Sequence, residues 1–100
     1  MAGNENQTLT IQQALDLALQ HQNAGRLSEA DAIYTRILLA QPDQPVALHL
    51  LGVIAAHVGK NDIAIDLITK ALTVKPDFAE ALSNLGVILF RQGNIPEAIV

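Results

Sequence analysis

The same residues return at one fixed step through almost the whole chain. Gly25, Gly59 and Gly93 stand 34 residues apart, as do Ala30, Ala64 and Ala98. Leu17, Leu51 and Leu85 follow the same step, and so do Pro42/Pro76, Asp43/Asp77, Leu38/Leu72 and Gly52/Gly86. A constant period of this length restricts the chain to a helical repeat array, in which each unit leaves an apolar face for its neighbour to cover. The period divides the chain into units at 11–44, 45–78 and 79–100, preceded by a tail over 1–9. The expected fold is all-α: a right-handed α-solenoid of antiparallel helix pairs, about two and a half repeats long.

Local punctuation places the helices. Thr10 followed three residues later by Gln13 is a capping box and opens a helix over 11–24. Ile11, Ala14, Leu15, Ala18 and Leu19 form its apolar stripe, and Gly25 closes it, since the left-handed residue after a helix costs least at glycine. Ser28, with Glu29 and Asp31 behind it, reads as the start of a second helix over 28–40. Its buried face is Ala30, Ile33, Tyr34, Ile37 and Leu38, and Pro42 stops it. The second unit repeats the scheme with helices over 45–58 and 62–74, Pro45 sitting in a first turn where no amide donor is lost. The third gives a helix over 79–92 and a stub from about 95, too short to be helical alone. Val87, Ile88, Ile95, Ile99 and Val100 then lack full cover, which predicts self-association with another copy through that edge. Met1–Leu9 is too polar to offset the entropy of ordering it and reads as a disordered tail.

Composition narrows the function. Half the residues are apolar but only 3% are aromatic, so the core must be built from Ala, Leu, Ile and Val. A formal charge of −4 with six scattered Lys and Arg argues against nucleic acid. There is no cysteine for a disulfide, thiolate metal site or thiol nucleophile. The longest apolar stretch, Val46–Val58, is broken by His49 and His57 and is shorter than the roughly 20 residues that cross a bilayer. A polar N-terminus without a basic flank is not a secretory signal, so a cytoplasmic chain without membrane partners is expected.

The small-residue pattern resembles the tetratricopeptide-repeat family over about Ile11–Val100. Leu48, Leu51, Gly52, Ala55, Ala64, Ile68 and Pro76 stand in its pattern positions, as do Leu82, Leu85, Gly86, Leu89 and Ala98 one unit later. The first unit matches with Ala14, Leu17, Ala18 and His21, then Ala30, Tyr34 and Pro42. Gly52 and Ala64 are small where the two helices of a hairpin must approach closely. Ser83–Gly86 further resembles the repeats of O-linked N-acetylglucosamine transferases, with Asn84 at the position of their inner-face asparagine ladder and Leu50 departing from it. The slots of the family's dicarboxylate clamp hold Leu15, Leu19, Leu50, Glu80 and Asn84, which disfavours capture of chaperone tails.

No catalytic constellation emerges. His49 and His57 share a helix but lie roughly 12 Å apart at about 1.5 Å rise per residue, too far to share one metal ion. Asp62 and Asp66 have no third oxygen ligand and face Lys70 one turn on. Ser28 and Ser83 have no base nearby in sequence, and no phosphate-binding glycine loop or cofactor motif is present. The resemblance implies instead a non-enzymatic scaffold that holds a protein or peptide in a groove lined by the first helix of each pair. Carried onto this chain, the groove comprises Gln12, Leu15, Leu19, Gln22 and Asn23, then His49, Val53 and His57, then Ser83, Asn84, Val87, Phe90 and Arg91. Val46, Ala56 and Glu80 share that face. The two histidines predict that binding of anionic partners strengthens as pH falls through about 6.5. The second reading is that the array is the non-catalytic arm of a larger enzyme, such as a glycosyltransferase or a methyltransferase.

Overall fold

The computed structural model describes residues 9–93, and five α-helices account for most of them: α1 (Ile11–Asn23), α2 (Leu27–Ala40), α3 (Pro45–His57), α4 (Asn61–Val74) and α5 (Ala79–Arg91). There is no strand among the described residues, and the architecture is an all-α helical repeat solenoid. The expected tail up to Thr8, the stub from about 95, and Ala98 lie outside the described residues. The first helices of the pairs, α1, α3 and α5, have 13 residues each; α2 and α4 have 14.

The turns explain why the hairpins are so tight. Gly59 has φ +88°, and Gly25 and Gly93 match it at +81° and +73°. At Gly59 the amide donates to the Ala56 carbonyl at 3.1 Å, and the next amide, Lys60, reaches the Ala55 carbonyl at 2.8 Å. This paired closure is a Schellman motif, which satisfies carbonyls that the helix end would leave open. Lys60 then serves immediately as the N-cap of α4, its carbonyl accepting from Ala64 at 3.0 Å. Arg26 does the same between α1 and α2. One residue therefore ends one helix and begins the next. It also corrects the sequence reading of the starts: Ser28 is not a cap but lies inside the first turn of α2, and α4 begins at Asn61. Neither Arg26 nor Lys60 caps with its side chain, since a guanidinium or an ammonium has no acceptor to offer the free amides.

The other helix starts use side chains. Thr10 and Gln13 form the full capping box, with bonds of 2.9 and 3.0 Å. Gln44 accepts from the Val46 and Ala47 amides ahead of α3, with Pro45 in the first turn. Phe78, at the corresponding place before α5, makes no cap bond and is buried instead.

Two apolar cores run along the stack, and α3 belongs to both. Ala47 and Ile54 join Leu15, Ala18, Ala30, Tyr34 and Ile37 in the first core. Leu48 and Ala55, one residue further round the helix, join Ala64, Ile68, Ala71, Phe78, Ala81 and Ile88 in the second. Leu38 and Val46 pack against both. That is why α3 is apolar around most of its circumference, as expected of a helix buried on two sides.

Helices α3 and α4 approach each other closely at Gly52. A Cβ built on Gly52 would stand 2.7 Å from Ile68 Cγ1 and 3.2 Å from the Ala64 carbonyl oxygen. Ile68 and Ala64 are both fully buried, so neither has room to yield. Gly52→Ala is expected to cost about 1–3 kcal/mol in overpacking, offset by about 1 kcal/mol of better helix propensity. Urea denaturation should show a net loss, larger again for Gly52→Val. A Gly52→Ala protein more stable than the parent would refute the close approach.

Candidate functional site

On the side formed by α1, α3 and α5, three depressions meet at Val53. The largest, about 630 Å³, lies between the N-terminal parts of α3 and α5, with Leu19 of α1 at its edge. Its walls are Val46, His49, Leu50 and Val53 on one side and Ala79, Glu80, Ser83 and Asn84 on the other. A second, about 230 Å³, continues the same trough between Val53, Ala56 and His57 of α3 and Asn84, Val87, Ile88 and Arg91 of α5. The third, about 270 Å³, lies across α3 toward α1 and includes Gln22, Asn23, Ile54 and His57.

The structure brings Leu19, Gln22, Asn23, His49, Val53, His57, Ser83, Asn84, Val87 and Arg91 to these depressions. It places the other three sequence-derived residues elsewhere. Gln12 donates to the Asp16 carboxylate at 2.9 Å on the exposed side of α1. Leu15 is 6% exposed and packs in the first core. Phe90 is 68% exposed and lines none of the three depressions. Ile54, Ala79 and Ile88 line the depressions outside the sequence-derived groove, and so does Leu50, which the sequence reading placed at an inner-face slot without adding it to the groove.

His49 occupies a place the period did not foretell. It is 2% exposed, between α3 and α5, and its ring meets Phe78 edge-on with centroids 4.9 Å apart. The Lys75 ammonium lies 4.9 Å from the centroid of the same Phe78 ring, a cation–π contact. The Asn84 amide donates to His49 Nε2 at 2.7 Å, so that nitrogen carries the lone pair and the neutral ring holds its proton on Nδ1. Burial holds the imidazole below the usual histidine range, while the Glu80 carboxylate pulls the other way. Burial and the Asn84 bond thus both favour the neutral ring, which leaves His49 poorly placed to supply the charge that the sequence reading gave it. It is the floor of the trough and ties α3 to α5.

A second polar tie joins α1 to α2. The buried Tyr34 hydroxyl donates to Gln22 Oε1 at 2.8 Å, fixing the Gln22 amide at the groove edge. Burial pushes the Tyr34 phenol up to about 12. Nearby, Arg26 Nε donates to His21 Nδ1 at 2.9 Å. Among the described residues, no group of three or more His, Cys, Asp or Glu is placed to hold a metal ion. No described helix is long and apolar enough to cross a membrane.

Residues 56–99 match the tetratricopeptide repeat family. The match starts in the last turn of α3 and runs through α4 and α5, and it supports a tetratricopeptide-repeat assignment. No curated protein matches the chain. Helices α1 and α2, ahead of the matched stretch, repeat the lengths and the left-handed glycine turn of α3 and α4. A tetratricopeptide repeat points in general to a protein-interaction scaffold rather than a catalyst.

Two substitutions test the polar ties. The unfolded chain protonates His49 near pH 6.5, whereas the folded chain resists until lower pH. Its contribution to stability is thus full above about 6.5 and declines as pH falls through the folded value. His49→Gln should flatten the change in urea stability between pH 7.5 and 5.0, and an unaltered slope would contradict the buried neutral ring. Tyr34→Phe, which removes one hydrogen bond, should cost about 0.5–1.5 kcal/mol. Chemical-shift changes should spread from Gln22 rather than through α5.

Proposed function

We propose that the chain is a protein-interaction module that holds a segment of a partner protein in the trough between α3 and α5. The observation that carries this reading is the continuity of the apolar floor. Val53 lines all three depressions, and Leu19, Leu50 and Val87 extend the floor on either side. Leu19 and Val87 leave 40% and 46% of their surface to solvent, apolar area that a bound segment would cover. Around it stand Ser83, Asn84, Gln22 and Asn23, hydrogen-bonding groups that suit a peptide backbone. The half-buried Asn84 amide is committed to His49, so on this chain the asparagine braces the trough floor. The enzyme-arm reading has no corresponding observation in its favour.

Val53→Glu places a carboxylate where the depressions meet. Peptides selected from a random library against the parent protein should lose at least about tenfold in affinity for this variant, with helicity retained by circular dichroism. Amide shifts on titration should cluster at Leu19, Val53, Asn84 and Val87. Selected peptides that bind Val53→Glu unchanged and perturb Asp31, Thr35, Thr69 and Thr73 instead would move the site to the α2/α4 surface.

A further inference from the structure

The trough between α3 and α5 is electrically bipolar. Glu80 lines one end and Arg91 the other, and among the described residues no other Asp, Glu, Lys or Arg lines either of its two depressions. Both side chains are exposed, and neither has an ion-pair partner among the described residues. Between them lie Val53, Asn84 and Val87, with His49 beneath. Eleven residues of helix separate the two charges by about 16 Å along α5.

The walls of the trough select the form of the occupant. The Ser83 hydroxyl and the Asn84 carbonyl oxygen line it beside the apolar floor, and they can pair with the open amides of an extended segment, whereas a helix keeps its backbone bonds to itself. An extended chain fits it. In an extended chain, alternate side chains share one face and four residues span about 13 Å, leaving a gap that the long side chains close.

Resting on the groove reading above, we propose that the trough takes an extended partner segment carrying a cation, an apolar residue and an anion at positions i, i+2 and i+4. The cation meets Glu80, the apolar side chain enters the depression at Val53 and Val87, and the anion meets Arg91, with His57 beside it. Running the segment the other way round satisfies the same ends, so the opposition of the charges is selected and the chain direction is not. A segment with two like charges places one of them against its own sign.

The test uses three capped peptides of one length with Leu at the centre and, two residues to either side, Lys and Glu, Lys and Lys, or Glu and Glu. Nuclear magnetic resonance titration of the whole chain at low salt should show the mixed-charge peptide binding about two- to fivefold more tightly than either like-charge peptide. The preference should shrink at about 0.5 M salt, where the screening length is only a few ångströms. Arg91→Glu should transfer the preference to the dibasic peptide, and Glu80→Lys to the diacidic one. Arg91→Gln and Glu80→Gln, which leave the helix ends nearly unchanged, should erase it. Equal binding of all three peptides with shifts along α3 and α5 would overturn the bipolar site and leave the groove standing. Shifts confined to the α2/α4 surface, or no binding at all, would overturn this occupant, and only the former would also remove the groove.

Discussion

Helix α3 is held between two cores, and most of the structure follows from that double burial. Ala47 and Ile54 face one core while Leu48 and Ala55 face the other, so neither pair of helices can shift without opening a cavity along α3. A core aliphatic deprived of its neighbours costs several kcal/mol, about 2–5 for truncation of a large side chain. The contact is tight at Gly52, where α3 meets Ile68 and the Ala64 carbonyl with no room for a Cβ. The spacing of α3 and α4 is set there, and with it the position of every side chain that α3 offers to the trough.

The trough is a by-product of the same stacking. Tight turns at Gly25 and Gly59 send each second helix back along its partner, which leaves α1, α3 and α5 side by side on one surface. Two polar bonds trim that surface. Tyr34 holds Gln22 from beneath α1, and His49 joins Asn84 across α3 and α5. Each is shielded from water on the side of the core, where an unpaired group would cost more than the bond contributes. They fix where the groove's amides stand and how they are turned.

The legible part of the fold was the part written in periodic small residues. The positions of Gly25, Gly59 and Gly93 gave three left-handed turns, and Thr10 with Gln13 gave a cap, because each depends on backbone chemistry within a few residues. Ser28 misled, since a serine near a helix start looks like a cap whether or not the backbone has already closed the turn. Here it has, through the Arg26 amide and the His21 carbonyl at 2.8 Å. In the candidate site, Leu15 and His49 share one slot of the period and are both buried, although one is apolar and the other polar. Hydropathy alone separates them; packing treats them alike.

The sequence by itself determined the helix pairs, their step and the small residues at which they meet, because a strict period lets local turn geometry and burial act identically in each unit. It also determined that the first helices share a face. Tertiary structure alone decided what that face is made of. His49 and Asn84 are 35 positions apart, and Phe78 and Lys75 reach the same cluster from the turn after α4. Whether a histidine is a solvated charge or a buried neutral brace depends on those distant partners and on desolvation, which no pattern within one helix encodes.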